Sequence, residues 1–188
     1  MYSQDLVKPD GRQITLYSRE PLDPKLKAPS PFADPLNASA HLRWHPLRGE
    51  WITYAAHRQD RTFQPPPLYN PLAPQRDPAH PTEVPLGEWD VAVFENRFPS
   101  LGGPIAPLPQ LIVPTAPANG RCEVVVFTQD ADSSLGALPL NRIAMLFEVL
   151  ADRTLRLGAE ETIQYVLPFE NRGAECGVTL SQDRKSVV

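Results

Sequence analysis

The sequence is poor in cysteine, in long apolar runs and in excess charge of either sign. Its two cysteines, Cys122 and Cys176, form no Cys-x-x-Cys pair, which favours a reduced cytoplasmic compartment over a disulfide scaffold. No apolar run reaches membrane-spanning length, and the N-terminus lacks a signal-peptide pattern. With 22 acidic and 18 basic residues the formal net charge is -4, which disfavours a broad nucleic-acid footprint. We therefore expect a cytoplasmic protein whose partner is a small molecule rather than nucleic acid or membrane.

Proline, by contrast, is abundant. Most of the 23 prolines lie before residue 118, in the stretches 21–35, 65–85 and 99–117, where they predict irregular loops rather than helices. Residues 1–41 are polar, proline-rich and aperiodic apart from one short alternating run, Gln13–Tyr17. We predict that they form an N-terminal arm with one edge strand.

The remaining pattern predicts one domain with several strands and one main helix. The predicted strands are Trp51–Ala56, Trp89–Phe94, Cys122–Thr128 and Ile163–Phe169. Both alternate residue sets of Trp89–Phe94 are apolar, which indicates a strand covered on two faces. The predicted helix is Leu140–Leu157, with Pro139 before it and Gly158 as its stop. The expected fold class is α+β, with an antiparallel sheet, one main helix and long Pro-rich loops.

The apolar face of that helix is predicted to pack in the core, whereas its charged residues are predicted to be solvated. The predicted apolar face comprises Ile143, Leu146, Phe147, Leu150 and Leu157. The predicted solvated charges are Arg142, Glu148, Asp152, Arg153 and Arg156.

Two arginines follow the strand Trp51–Ala56. Arg58 and Arg61 have a spacing that allows both guanidinium groups to converge on one diphosphate. Spacing alone favours the other interpretation, two ordinary solvated loop charges, because arginines are mostly exposed.

Three separated motifs, in this order along the chain, resemble galactose-1-phosphate uridylyltransferases. The motifs are Arg43-Trp44-His45-Pro46-Leu47-Arg48-Gly49-Glu50-Trp51 with His57-Arg58-Gln59-Asp60-Arg61, then Val93-Phe94-Glu95-Asn96-Arg97-Phe98-Pro99, and finally Phe169-Glu170-Asn171-Arg172-Gly173 with Gly177-Val178-Thr179. The resemblance covers residues 42–181 and implies the N-terminal half of the enzyme, with a histidine-triad-like fold.

The resemblance implies a ping-pong exchange in galactose metabolism (the Leloir pathway). UDP-glucose transfers its uridylyl group to a histidine, glucose 1-phosphate leaves, and galactose 1-phosphate takes the group to give UDP-galactose. A neutral imidazole can act as the nucleophile at physiological pH. The implied partners are UDP-glucose, UDP-galactose and hexose 1-phosphate, and the full-length family is a homodimer.

The resemblance also assigns roles by position, and it shifts the interpretation of the arginines towards binding. Arg58 and Arg61 match phosphate-contacting arginines, and Asn96 matches a nucleotide-binding asparagine. Asn171, Gly177 and Thr179 match positions that line the phosphate and nucleotide pocket.

The zinc positions of the family differ in this chain. Zinc-binding members carry a Cys-x-x-Cys pair after the arginines and a histidine after the third strand, whereas here these places hold Asn70, Ala73 and Ala131. These side chains lack the sulfur and imidazole ligands that such zinc sites use. We expect no structural zinc and no other cofactor.

The nucleophile is also missing from its expected place. The family continues after the equivalent of Ser181 with His-Pro-His-Gly-Gln, whose second histidine attacks phosphorus, and this chain has Arg184 there. Arginine stays protonated and cannot attack phosphorus. Residues 183–188 also match the translation of a common sequencing-adapter string. We predict an incomplete domain over residues 42–181 and a non-native tail over residues 182–188, without uridylyl transfer.

Two other functions remain open at this point. One is a non-catalytic module that binds a nucleotide sugar or a full-length partner, and the other is a relative of the dinucleotide-polyphosphate phosphorylases. The motif Arg43–Trp51 argues against the phosphorylase. Reading the source DNA beyond Ser181 separates the fragment from the module, since a continuing His-Pro-His-Gly-Gln frame selects the fragment.

Overall fold

A computed structural model describes residues 1–37, 40–58, 70–103, 107–130, 133–171 and 184–187. In chain order the strands are β1 (Tyr2–Val7), β2 (Gln13–Ser18), β3 (His41–His45), β4 (Glu50–Tyr54), β5 (Val91–Glu95), β6 (Thr115–Pro117), β7 (Glu123–Val126), β8 (Pro168–Asn171) and β9 (Arg184–Val187). The helix α1 spans Leu140–Gly158, and short 3-10 turns cover Ala56–Arg58 and Leu135–Ala137. The predicted α+β class is confirmed.

The described strands form two antiparallel sheets. The larger has the order β1-β2-β5-β7-β9-β8, and the smaller has the order β4-β3-β6. Gly49, at φ 66°, closes the β3–β4 hairpin, with its N–H bonded to the His45 carbonyl at 2.8 Å. The positive φ at this turn explains why glycine occupies position 49.

The larger sheet is covered on both faces, as the apolar pattern of its central strand predicts. Ala92 and Phe94 of β5 pack with Leu16 and with loop residues such as Trp89. Val91 and Val93 face the other way, into a cluster with α1. The proline-rich loops therefore cover one face of the sheet and the helix covers the other.

The prediction of an edge strand at Gln13–Tyr17 is wrong. This segment forms β2, which pairs with β1 on one side and with β5 on the other. Residues predicted as an arm thus supply two strands of the larger sheet. The reason is that β1 shields β2 from the edge, and the alternation in the sequence of β2 carries no information about a non-local partner.

The strand predicted over Ile163–Phe169 is also wrong in extent. The strand β8 begins only at Pro168 and lies at the sheet edge, a position that tolerates the missing N–H of proline. Residues 163–167 are irregular. The backbone of β9 lies between β7 and β8, so part of the predicted tail pairs within the sheet.

The helix has the predicted limits to within a residue, and Leu146 and Leu157 of its predicted apolar face are buried, but the buried face is turned towards Met145 and Val149. Met145, Leu146, Val149 and Leu157 are buried, whereas Phe147 is 61 % exposed. Gly158, predicted to end the helix from outside it, is the last helical residue. The C-cap residue is Ala159, which has a right-handed helical conformation with φ -80°.

The prediction that the helical charges are solvated is wrong for several of them. Arg153 donates to both carboxylate oxygens of the buried Glu123, and Asp152 accepts a 2.6 Å hydrogen bond from Tyr17. Arg142 pairs with Asp90. Polar partners on the sheet therefore select the face of the helix that packs inward.

Candidate functional site

A cavity of about 450 Å³ lies where the loop after β5 meets the loop before β7. Its polar lining comes from Glu95, Asn96, Asn119, Arg121, Glu160 and Thr162. Glycines 102, 103 and 120 form part of its wall. The cavity is large enough for a nucleoside-sized group.

Close backbone approach forms the glycine wall. Gly102 has a φ of 79° and its N–H donates to the Ala118 carbonyl at 2.6 Å. A Cβ atom at position 102 would overlap the carbonyl of Gly120. Only glycine fits this conformation, so the wall depends on residue 102 remaining without a side chain.

Arg121 is neutralised inside the cavity by two carboxylates. Its guanidinium pairs with Glu95 and with Glu160 at 3.3 Å. Burial alone would lower the pKa of Arg121, but the charges of Glu160 and Glu95 outweigh it and hold the pKa above its ordinary value. With one cation against two anions, this cavity suits an uncharged polar group better than a phosphate.

Asn96 begins the loop at the edge of the cavity. Its N–H donates to the Cys122 carbonyl at 2.8 Å, and its side-chain Oδ1 accepts from the N–H of Phe98 at 2.9 Å. Such a side-chain-to-backbone bond is typical of asparagine at a turn. The backbone of residue 96 and the turn that follows are therefore both fixed.

Arg58 reaches the same loop from the 3-10 turn after β4. Its Nη1 donates to the Phe98 carbonyl at 2.6 Å, and His57 Nε2 donates to the Pro99 carbonyl at 2.8 Å. The Nδ1 of His57 is buried and has no hydrogen-bond partner within the described ranges. The structure thus brings together two predicted site residues, Arg58 and Asn96, although Arg58 does not line the cavity.

The other predicted site residues are placed only partly. Asn171 lies in β8, where its backbone is in register with that of Arg184 in β9. Arg61, Gly177 and Thr179 lie outside the described residues, so their roles stay predictions. Sequence reasoning missed the ion pairs of Arg121, because Glu95 and Glu160 lie far from it in sequence and no motif marks the pairing.

The positions that correspond to zinc ligands carry no suitable donor set in the described part. Asn70 uses its side-chain oxygen to accept from the Leu72 N–H at 2.9 Å, and Ala73 has no ligating atom. Ala131 lies outside the described residues. Within those residues no group of three or more His, Cys, Asp or Glu side chains is placed to hold a metal ion, and the prediction of no zinc remains a prediction.

No helix in the described ranges is both long and apolar enough to cross a bilayer.

Comparisons with known proteins agree with the motifs. The family description "Galactose-1-phosphate uridyl transferase, N-terminal domain" matches residues 33–182. The galactose-1-phosphate uridylyltransferase of Streptomyces lividans is 35% identical over 183 residues, with 91% of this chain and 44% of that protein covered. The enzyme of the same name from Thermotoga maritima is 37% identical over 144 residues, with 74% and 43% covered.

A solved structure of a uridylyltransferase superposes with a TM-score of 0.62 at 29% identity, and the match covers 78% of this chain and 44% of that one. The chain therefore spans less than half the length of the relatives that it matches. The family match covers well over half of the residues and includes the cavity and both loops described above. The chain belongs to the galactose-1-phosphate uridyl transferase family and matches its N-terminal domain.

Proposed function

We propose that this chain is a nucleotide-sugar-binding part of a UDP-glucose–hexose-1-phosphate uridylyltransferase, and that by itself it binds the nucleotide sugar without transferring the uridylyl group. The observation that supports it best is the convergence of Arg58 and Asn96 on the loop beside the cavity. An arginine and an amide of this kind supply the two contacts that a nucleoside phosphate needs, a cation for the phosphate and a polar group for the nucleoside.

The charge distribution supports a division of the ligand between two places. The cavity holds uncharged polar groups and an arginine that two carboxylates neutralise, so we place the nucleoside there. We place the phosphates beside Arg58 and Arg61, whose guanidinium groups match phosphate oxygens. Asn171, Gly177 and Thr179 complete the proposed pocket, as the family resemblance assigns them.

In the proposed reaction of the full-length enzyme, a histidine nitrogen attacks the uridylyl phosphorus of UDP-glucose and displaces glucose 1-phosphate. A phosphate oxygen of galactose 1-phosphate then attacks the same phosphorus, releases the histidine and forms UDP-galactose. Two similar displacements replace one direct exchange. In this chain Arg184 stands at the nucleophile's place, and its guanidinium stays protonated.

We further propose that the chain acts in the cytoplasm without zinc, and that the full-length protein is a homodimer. The proposal on zinc is supported by Asn70 and Ala73, which lack the thiolate ligands of such zinc sites. Elemental analysis of the purified chain tests it, because a stoichiometric zinc ion that survives dialysis would contradict it.

Calorimetric titration with UDP-glucose tests the binding proposal. We expect UDP-glucose and uridine 5′-monophosphate to bind, and glucose 1-phosphate alone to bind more weakly, because it lacks the nucleoside that the cavity holds. ADP-glucose is the matched control for the base. Equal binding of UDP-glucose and ADP-glucose would contradict the uridylyl assignment, and no binding of either would contradict the proposed function.

A further inference from the structure

Four charged side chains are buried together beside the turn between β1 and β2. Lys8, Asp10, Arg12 and Glu83 are each no more than 6 % exposed. Lys8 Nζ donates to the Glu83 carboxylate at 2.6 Å and to the Pro29 carbonyl at 3.0 Å. The cluster therefore ties the first hairpin of the chain to a loop some 75 residues later.

Arg12 lies at the centre of this cluster and uses its nitrogens in three directions. Its Nε donates to Asp10 at 2.7 Å and its Nη2 donates to Glu83 at 2.7 Å. The third direction is different, because Nη1 donates to the backbone carbonyl of Glu95 at 2.9 Å. A planar guanidinium held by two carboxylates fixes the position of its remaining nitrogen, and so fixes the carbonyl of residue 95.

A second contact from the same hairpin reaches Glu95. The backbone N–H of Gln13 donates to Glu95 Oε2 at 2.9 Å, and the other carboxylate oxygen pairs with Arg121 in the cavity. Glu95 is thus held at its carbonyl and at its side chain. The next residue in the chain is Asn96.

A gain in stability is a weak explanation for such a cluster. Replacing buried ion pairs with apolar groups of similar volume is often neutral or stabilising, because removing charges from water is costly. Burial alone would raise the pKa of Asp10, yet the hydrogen bond and charge of Arg12 hold it below its ordinary value. Asp10 therefore stays charged inside the fold, and one contact of the cluster, from Arg12 to the Glu95 carbonyl, leads to the loop of the candidate site.

We propose that Arg12 is a positioning residue for the nucleotide site: through the Glu95 carbonyl it sets the placement of Asn96 and of the Glu95–Arg121 pair at the cavity. Lys8, Asp10 and Glu83 hold Arg12 in place. The hairpin that carries Arg12 precedes residues 33–182, which the family description matches. The inference rests on the proposed nucleotide role of Asn96, but the placement of the loop can be measured without a ligand.

The test compares Arg12→Lys with Arg156→Lys in the full 188-residue chain. Lysine keeps the charge, but its donors all lie on one nitrogen, so it cannot reproduce the contacts that three separate nitrogens of Arg12 make to Asp10, Glu83 and the Glu95 carbonyl. Arg156 pairs with Asp5 and Asp152 at the surface, far in sequence from the loop, and so provides a matched control. The measurement is the hydrogen-exchange rate of the backbone N–H groups of Asn96 and Phe98, both of which donate hydrogen bonds in the wild type.

We expect Arg12→Lys to speed exchange at Asn96 and Phe98 by about tenfold or more while the amides of α1 keep their protection. Uridine 5′-monophosphate affinity should fall by about tenfold, which corresponds to about 1.4 kcal/mol. Arg156→Lys should change neither. Uniform loss of protection across the chain, or unchanged exchange at Asn96 and Phe98, would overturn the proposal.

A second variant covers the case in which Arg12→Lys does not fold. Asp10→Asn keeps Arg12 and the shape of residue 10 but weakens the hold on Nε, so it should produce the same local pattern to a smaller degree. If the wild-type chain binds no uridine 5′-monophosphate, the proposed function fails, and the exchange data still decide whether Arg12 positions the loop.

Discussion

Arg58 and Asn96 bind the backbone of the same residue, Phe98. The guanidinium of Arg58 donates to the Phe98 carbonyl at 2.6 Å, and the side-chain oxygen of Asn96 accepts from the Phe98 N–H at 2.9 Å. The contact between Arg58 and Phe98, which are 40 residues apart in sequence, joins two of the family-like motifs. The loop between β5 and the cavity is therefore held from both sides of one peptide segment.

The first prediction concerns Arg58. We expect Arg58→Gln to weaken UDP-glucose binding by about tenfold, because the variant loses both a phosphate-facing cation and the Phe98 contact. Arg48→Gln is the control, since Arg48 is exposed and pairs only locally with Glu50 among its ion pairs in the described residues. Calorimetry measures both affinities, and equal losses in the two variants would remove the special role of Arg58.

The second prediction separates the two uses of the Asn96 side chain. Aspartate at position 96 keeps an oxygen that accepts from Phe98, so the turn should survive. It lacks the amide donor and adds a negative charge, so Asn96→Asp should weaken uridine 5′-monophosphate binding by about tenfold or more. The melting temperature should stay close to that of the wild type.

Asn141→Asp is the matched control for Asn96→Asp, because Asn141 is exposed in the first turn of α1 and lines no described cavity. An aspartate there should leave binding unchanged and slightly favour the helix N-terminus. If Asn96→Asp binds the nucleotide as tightly as this control, the Asn96 side chain stabilises the turn at Phe98 and does not bind the nucleotide.

The third prediction concerns the glycine wall of the cavity. Gly102→Ala forces a Cβ into the Gly120 carbonyl at a φ of 79°, and we expect a loss of about 1–3 kcal/mol in the free energy of unfolding. Gly136→Ala is the control, because nothing lies within 4 Å of a Cβ there. Chemical denaturation measures both, and a neutral Gly102→Ala would show that the wall adjusts freely.

The fourth prediction concerns the contact that orients α1. The Arg153 guanidinium binds the buried carboxylate of Glu123, and although burial alone would lower the pKa of Arg153, Glu123 raises it above its ordinary value. Glu123→Ala should therefore cost about 3 kcal/mol, because it leaves a buried cation unpaired.

Adding Arg153→Met to Glu123→Ala should recover much of that loss, since the unpaired charge is removed with it. Denaturant unfolding of the two single variants and the double variant gives the coupling energy. Strictly additive losses would mean that the pair does not fix the helix on the sheet.

The sequence predicts elements whose signal is local. The two apolar faces of β5 and the limits of α1 follow from periodicity, and the structure confirms both. The inward face of α1 could not be predicted, because the partly buried Arg153 faces the sheet through Glu123, a partner 30 residues away, and not through its own apolarity.

The candidate site shows the same limit. The motif around Asn96 identifies a loop, but Lys8 and Arg12 read as surface charges in a polar stretch, since their partner Glu83 is more than 70 residues away. Long-range pairing of charges leaves no periodic trace in a single sequence. The contacts of Arg12 and Gln13 with Glu95 are therefore visible only in the three-dimensional structure.

We propose that this chain binds a nucleotide sugar and does not accept its uridylyl group. The most direct test is the intact mass of the purified chain after incubation with UDP-glucose, with binding checked in parallel by calorimetry. We expect binding, an unchanged protein mass and no release of glucose 1-phosphate. A mass increase of one uridylyl group, mapped to any of the four histidines, would contradict it.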